Sequence, residues 1–307
     1  MIMPMKLIKN EDENVIRVER KLHAKHYALT LDKSWCKGCG ICVELCPREA
    51  ITLKPIVRPS EGRANPPEID IDVEKCNYCG ICTAICPFGA LTLEIDGKTE
   101  IPVINSESFP KLVRDVRVDA ERCKVGCVDC EEACPLGLIK VSVTTPEGEV
   151  VEDLESIEDK ESLKVKVDID LEHCPCCRIC EYKCPEGAIQ VRKIFHGTLK
   201  INHELCPDDC QACLDVCPIP NVLYKEDGKV YVDERFCVYC GACKIVCPVE
   251  GALELNRTWI SHVPVKSGAW NRAVEKLAST EAMAKLLKMK ALERAKSSVE
   301  KRLGRRL

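Results

Sequence analysis

Short segments of strict apolar–polar alternation recur along this chain. ALTLD, IDIDV, VRVDA, VDIDL, LKINH and VYVDE each bring the chain to an Asp, an Asn or the residue beside one, and AITL, ALTL, LIKV, AIQV and ALEL follow further on. Period-two alternation over four or five residues predicts short strands with one buried face. Between each leading segment and its follower stands a loop rich in cysteine and closed by proline. The predicted unit is therefore strand, cysteine loop, one helical turn, proline, strand.

The loops are six copies of one pattern. Cys36-Cys39-Cys42-Cys46, Cys76-Cys79-Cys82-Cys86, Cys174-Cys177-Cys180-Cys184 and Cys237-Cys240-Cys243-Cys247 are C-x2-C-x2-C-x3-C. Cys123-Cys127-Cys130-Cys134 and Cys206-Cys210-Cys213-Cys217 have three residues in the first gap. Proline follows the last cysteine every time, as Pro47, Pro87, Pro135, Pro185, Pro218 and Pro248. Only Cys176 falls outside the six runs.

Composition narrows the chemistry. The chain has 307 residues, 25 of them cysteine, with 4% aromatics and 31% charged residues, so no large core of rings and aliphatics holds it together. A disulfide framework calls for a secretory signal and prefers an even count, whereas MIMPMKLIKNEDEN lacks a long apolar stretch and 25 is odd. The uncharged run from Cys76 to Leu93 contains four cysteines and Pro87, which excludes a membrane span. Reduced, metal-binding thiols in a cytoplasmic protein are the expectation.

Three cysteines two residues apart let one loop present three thiolates to one face of a cuboidal iron–sulfur cluster. Gly40, Gly80 and Gly241, each after a second cysteine, let the backbone pass close to the inorganic core. Zinc ribbons use paired C-x2-C and have no use for a third cysteine at the same step followed by Cys-Pro. The proline ends the helical turn and redirects the chain.

These runs resemble those of bacterial-type ferredoxins with two [4Fe–4S] clusters, repeated as in a polyferredoxin over roughly residues 26 to 255. In such ferredoxins the fourth cysteine, ahead of proline, ligates the neighbouring cluster. The resemblance implies an α+β fold of three tandem ferredoxin-like two-cluster units, built of short hairpins and single helical turns, with a C-terminal amphipathic helical tail. It implies six [4Fe–4S] clusters held by the 24 cysteines of the runs. Consecutive pairing places Cys36, Cys39, Cys42 and Cys86 on one cluster, and Cys76, Cys79, Cys82 and Cys46 on its neighbour. Runs three and five share the longer first gap and each precedes a regular run, which favours this pairing. Pairing of runs four and five, closed around by three and six, is the alternative, because the gap from Cys184 to Cys206 is nearly as short as that from Cys217 to Cys237.

The expected divisions are an N-terminal extension (1–25), a first unit (26–97), a linker (98–115), a second unit (116–196) with an acidic insertion (142–163), a third unit (197–256), and a partner-docking segment with a basic helix (257–307). KPIVRPSEGRANPP is a further insertion, inside the first unit. Cys176 reads as a small, partly buried thiol, with a ligand role in place of Cys177 as the alternative. Arg178 stands where the other three regular runs have glycine, either as a cation raising a cluster's potential or as a solvated arginine. Tyr78, Tyr239, Trp35 and Phe236 are expected to shield clusters from water.

From Arg272 onward there are 11 Lys or Arg against 4 Asp or Glu, a net of +7 that leaves −11 on the rest of a chain whose total is −4. Nucleic acid is a poor partner for such a body. Ala273, Val274, Leu277 and Ala278 form one apolar stripe, Ser279-Thr280 with Glu281 a cap and restart, and Leu286, Met289, Leu292, Val299 and Leu303 continue at helical spacing. The helix is expected to dock on a partner subunit; packing on its own ferredoxin units is the alternative.

No nucleophile, phosphate loop or paired catalytic carboxylates stand in credible context, so the expectation is an electron-transfer subunit and not the catalytic chain. The chain resembles the polyferredoxins of methanogenic archaea, in particular those of formylmethanofuran dehydrogenase. RTWISHVPVKSGAWNRAVEKL contributes to the likeness. The resemblance implies catalytic subunits and a heterodisulfide-reductase-type electron donor as partners. A hydrogenase- or heterodisulfide-reductase-associated polyferredoxin and a freely diffusing carrier are the competing readings.

Overall fold

A computed structural model describes residues 5–54, 63–151, 162–208 and 210–278, together with Leu292 and Lys296. Each alternating segment named above forms or enters a strand. In the first third, β1 (Lys6–Glu11), β2 (Val15–Lys21) and β3 (His26–Asp32) precede α1 (Ile41–Leu45), β4 (Ile51–Leu53), β5 (Ile69–Ile71), α2 (Ile81–Ile85), β6 (Leu91–Ile95), β7 (Lys98–Thr99) and α3 (Pro102–Asn105). Then come β8 (Asp115–Val118), α4 (Asp129–Ala133), β9 (Ile139–Thr144), β10 (Lys164–Ile169), α5 (Ile179–Lys183) and β11 (Ile189–Arg192). The last part holds β12 (Phe195–Ile201), α6 (Ala212–Asp215), β13 (Leu223–Glu226), β14 (Lys229–Val232), α7 (Ala242–Val246), β15 (Leu253–Ile260) and α8 (Gly268–Ala278).

One pairing scheme accounts for the strands around the runs. An outer antiparallel pair joins the strand before one run to the strand after the next: β3 with β6, β8 with β11, β12 with β15. An inner pair joins the two strands between them: β4 with β5, β9 with β10, β13 with β14. The six short helices pack in the same twos, α1 on α2, α4 on α5 and α6 on α7. Each is the single turn between the third and fourth cysteine of a run, and each stops because a proline two or three residues later withholds an N–H. The Asp96-Gly97 and Asp227-Gly228 turns have positive φ at both residues, the geometry that a two-residue hairpin between twisted strands demands.

Three stretches differ from expectation. The extension at 1–25 is not separate: β1 and β2 add to β3, giving the five-stranded order β1-β2-β3-β6-β7. Ile16 and Val18 alternate inward on β2 and are fully buried, so the hairpin covers apolar surface that β3 and β6 would otherwise expose. The stretch 98–115 is likewise packed: Val103 N–H donates to the Cys79 carbonyl (3.3 Å) and Phe109 is buried. In the acidic insertion, Ser142 to Thr144 belong to β9 and pair with β10, because the alternation IKVSVT runs on past Val141. The part of that insertion at 152–161, and 55–62 of the earlier one, lie outside the described residues.

The C-terminal segment packs on its own chain. β15 continues to Ile260 against β12, and Val113 and Val263 N–H groups donate to Ser261 and Lys111 carbonyls. On α8, Trp270, Ala273 and Leu277 are buried, with Trp270 edge-on to Phe109 at 5.1 Å. The expected partner-docking face of this helix is therefore occupied within the chain, since its apolar stripe is covered by Phe109 and its neighbours. Leu292 is exposed; Ser279, Thr280, Glu281, Leu286, Met289, Val299 and Leu303 lie outside the described residues. Among the described residues no helix is long and apolar enough to cross a membrane.

Candidate iron–sulfur centres

Local backbone geometry sets up each regular run. The residues on either side of the second cysteine are left-handed: Gly38 and Gly40, Tyr78 and Gly80, Cys176 and Arg178, Tyr239 and Gly241, all at φ between 49° and 97°. This doubled turn swings the chain so that three sulfurs of one loop face one way. Glycine after the second cysteine is thus explained by conformation and by crowding from outside: a Cβ at Gly40 would meet Ile245 at 2.8 Å, and one at Gly80 would meet Ile101 at 2.7 Å. In the two longer runs the residues after the second cysteine, Val128 and Gln211, have φ of −122° and −134°. The extra residue removes the need for a left-handed turn there.

The fourth cysteines cross over. Cys46 joins Cys76, Cys79 and Cys82 around a cavity of about 370 Å³. Cys217 joins Cys237, Cys240 and Cys243 around another of about 370 Å³, and Cys134 joins Cys174, Cys177 and Cys180 around one of about 420 Å³. In the complementary direction, Cys36, Cys39 and Cys42 lie within electrostatic reach of Cys86. Cys123, close to Cys127 and Cys130, senses Cys184; Cys206 and Cys213, beside Cys210, sense Cys247. Three consecutive groups of four thus line cavities directly, and the remaining last cysteines lie near the first three of the run before them. Among the described residues no three His, Cys, Asp or Glu side chains gather tightly enough to hold a single metal ion.

Desolvation governs the thiols. Burial pushes Cys76 and Cys177 up to about 11, and Cys180, Cys213 and Cys237 to about 12. Thiolates are the ligands, so each gives up a proton on binding iron. In runs one to four a peptide N–H four residues beyond the last cysteine points at its sulfur: Ala50 to Cys46, Ala90 to Cys86, Leu138 to Cys134 and Ala188 to Cys184, at 3.3–3.4 Å. The left-handed residue of this turn is third after the cysteine there (Glu49, Gly89, Gly137, Gly187). It moves to fourth in runs five and six, as Asn221 and Gly251.

Cys176 is 1% exposed and occupies the left-handed position that Gly38, Tyr78 and Tyr239 hold elsewhere, at the rim of the cavity lined by Cys174. Its S–H donates to the Cys174 carbonyl (3.9 Å), and the side-chain contact between the two thiols draws Cys174 below the usual thiol range while Cys176 is pushed well up. The Arg178 guanidinium pairs with Glu181 at 2.6 Å in solvent, which matches the solvated reading. Trp35 stacks on His173 and Phe236 meets Tyr182 edge-on, so each ring bridges from its own ligand loop to run four. Tyr78 and Tyr239 are buried, beneath Arg20 and Lys193.

Sequence reasoning missed the cations that cap ligand loops. Arg20 donates to the Cys76 carbonyl (2.6 Å), Arg114 to Cys86 (2.8 Å), Lys193 to Cys237 (2.9 Å) and Arg257 to Cys240 (2.6 Å). Only Arg20 left a sequence signal, since it continues the inward alternation Ile16, Val18 of β2. A wider cleft of about 1340 Å³ near β11 and β12 has no cysteine on its wall, and Arg117–Asp115 and Arg178–Glu181 pairs line it.

Comparison with known proteins identifies 4Fe-4S domains along the chain. The 4Fe-4S dicluster domain matches residues 35–90 and again 75–139, and the 4Fe-4S binding domain matches 230–251. A chain in the formate dehydrogenase–heterodisulfide reductase–formylmethanofuran dehydrogenase complex from Methanospirillum hungatei superposes with a TM-score of 0.75 at 32% identity, covering 89% of this chain and 91% of that one. Polyferredoxin protein FwdF of Methanocaldococcus jannaschii is 44% identical over 36% of this chain and 30% of its own length. This chain belongs to the polyferredoxin family. The polyferredoxin-like subunit of an aliphatic sulfonate oxidoreductase from Pyrococcus furiosus is 35% identical to this polyferredoxin, over 24% of this chain and 49% of the relative. The chain spans less than two thirds of the length of the curated relatives it matches. A polyferredoxin carries electrons on [4Fe–4S] clusters, and these cavities are where they fit.

Proposed function

We propose that this polyferredoxin is the electron-transfer subunit of a formylmethanofuran dehydrogenase-type assembly, with six [4Fe–4S] clusters in three tandem two-cluster units. The reading rests most on the crossover: each well-formed cavity is lined by three cysteines of one run and the last cysteine of the run before it. The ligand sets are Cys36, Cys39, Cys42 and Cys86; Cys46, Cys76, Cys79 and Cys82; Cys123, Cys127, Cys130 and Cys184; Cys134, Cys174, Cys177 and Cys180; Cys206, Cys210, Cys213 and Cys247; Cys217, Cys237, Cys240 and Cys243. Bound clusters supply one-electron acceptor and donor centres.

The chain's own residues hold these centres apart from water and near one another. One helical turn, about 6 Å of rise, links the two sets of each unit. Between units, Arg114 binds the Cys86 carbonyl and lies within electrostatic reach of Cys174, while Cys39 senses Cys240. The first, fourth and sixth sets thereby meet near the centre of the molecule. Such an arrangement suits relay between catalytic subunits and a heterodisulfide-reductase-type donor.

Anaerobic native purification tests the proposal. It is expected to recover about 24 irons per chain, four for each [4Fe–4S] cluster, with molybdenum or tungsten catalytic subunits in the same complex. Far less iron, zinc in its place, or a chain that migrates alone would refute it.

A further inference from the structure

Only two cationic side chains are buried among the described residues, Lys193 (8% exposed) and Arg257 (6%). Both are anchored on the same ligand loop. The Lys193 ammonium donates to the carbonyls of Cys237 (2.9 Å) and Glu234 (2.6 Å) and lies over the Tyr239 ring at 4.8 Å. The Arg257 guanidinium donates to the carbonyls of Tyr239 (2.8 Å) and Cys240 (2.6 Å), with Phe195 against its face. Three carbonyls around the first two cysteines of run six are therefore tied to fixed positive charge. Neither cation has a carboxylate within ion-pair distance among the described residues. Elsewhere Arg20 at Cys76 and Arg114 at Cys86 are only half-buried, and Lys225 at Asp208 of run five and Lys276 at Glu44 of run one make their contacts at the exposed surface.

We propose that the centre held by Cys217, Cys237, Cys240 and Cys243 has the highest reduction potential in the chain, so that the first electron to enter comes to rest there. Charge supplies the reason. A cluster gains one negative charge on reduction, and a cation stabilises that gain far more in a low-dielectric interior than in solvent. Two buried cations, whose nearest carboxylates (Glu44, Asp233 and Glu234) act only at longer range, outweigh one half-buried cation or the exposed pairs near other runs, such as Lys124–Glu186 and Lys229–Asp208. The position makes use of the difference, because Cys240 lies within electrostatic reach of Cys39 of the first run. The trapped electron sits at the junction of the first and third units, away from the outer sets.

The inference depends on the six-cluster reading, so iron content is measured first, on the full chain prepared anaerobically; a shortfall indicts that reading alone. With clusters loaded, stepwise reduction by dithionite is followed by electron paramagnetic resonance. Lys193→Met and Arg257→Gln are each expected to move the first-reduced signal to lower potential, by on the order of tenfold in the reduction equilibrium or about 59 mV for one electron. Lys193→Arg is expected to restore it. Should the neutral variants fail to load, Cys243→Ser marks the centre instead, since exchanging one ligand alters that cluster's signal and no other. A marked or shifted signal belonging to a later-reduced cluster, or no shift in loaded variants, overturns the proposal.

Discussion

Trp35 stacks on His173 with ring centroids 4.2 Å apart and planes inclined by 27°. Each residue immediately precedes the first cysteine of its run, so the stack ties the entrance of the first ligand loop to that of the fourth. Close backbone approach reinforces it: a Cβ at Gly89 would lie 2.6 Å from the Glu172 carbonyl oxygen. The junction between first and second units is therefore a shaped contact. Trp35→Ala is expected to weaken it by about 0.5–1.5 kcal/mol beyond the lost buried area, lowering the melting temperature while leaving iron content unchanged. An unaltered melting temperature would mean that the stack contributes nothing.

Crossover ligation gives the second expectation. Cys46 stands in sequence with the first run but lines the cavity of Cys76, Cys79 and Cys82. Cys46→Ala is expected to cost the cluster of the second run and spare that of the first. Spectroscopic loss confined to the first run's cluster would show that ligation follows sequence order.

Backbone crowding gives the third. A Cβ at Gly38 would sit 2.2 Å from the Pro67 carbonyl oxygen, at φ +62°, with backbone on both sides of the clash. Gly38→Ala is expected to displace the loop that carries Cys36 and Cys39 and to deplete that cluster. Gly97→Ala, also left-handed but in open space, is expected to cost only about 1–2 kcal/mol with full iron content. Equal iron content in the two variants would refute the distinction.

At the C-terminal end, Trp270 is 3% exposed and its indole N–H donates to His262 at 3.2 Å. Trp270→Ala is expected to cost about 3–5 kcal/mol and to free α8 for proteolysis while the clusters persist. Unchanged protease resistance of α8 would argue that other contacts hold it.

Acidification acts on the N-terminal hairpin. Glu19 accepts from Arg17 at 2.8 Å and pairs with Lys21, which hold its carboxyl at about 2 against the usual 4.5. Because the folded value is depressed, the contribution is fully present above pH 4.5 and is lost as pH falls toward 2. Amide exchange in β2 and β3 is expected to be slower in the wild type than in Glu19→Gln at pH 7, with the difference shrinking below pH 4.5. A difference that persists at low pH would assign the protection to packing.

Much of this molecule was legible from short-range pattern. Cysteine spacing, the prolines after Cys46 and its five counterparts, and alternation in segments such as IDIDV are local constraints, and each strand and helical turn so expected is present. The hairpin β1–β2 was hidden because KLIKNE and VIRVERK mix charge into a weak alternation whose meaning appears only when Ile16 and Val18 meet the sheet. The ring partners of Trp35 and Phe236 were not legible, because adjacency to a cysteine says nothing about which neighbouring loop a ring will meet.

By itself, then, the amino-acid order determined the chemistry: the thiols, their groups within each run, and the turns that present three sulfurs together, all set within about a dozen residues. The tertiary structure alone decided which runs bring their cysteines together, how the loops meet at Arg114 and Cys39, and where charge is buried. Arg20, Lys193 and Arg257 reach carbonyls 17 to 56 positions away. Contacts over such separations depend on strand order and on the packing of one unit against another, and neither leaves a periodic trace along the chain.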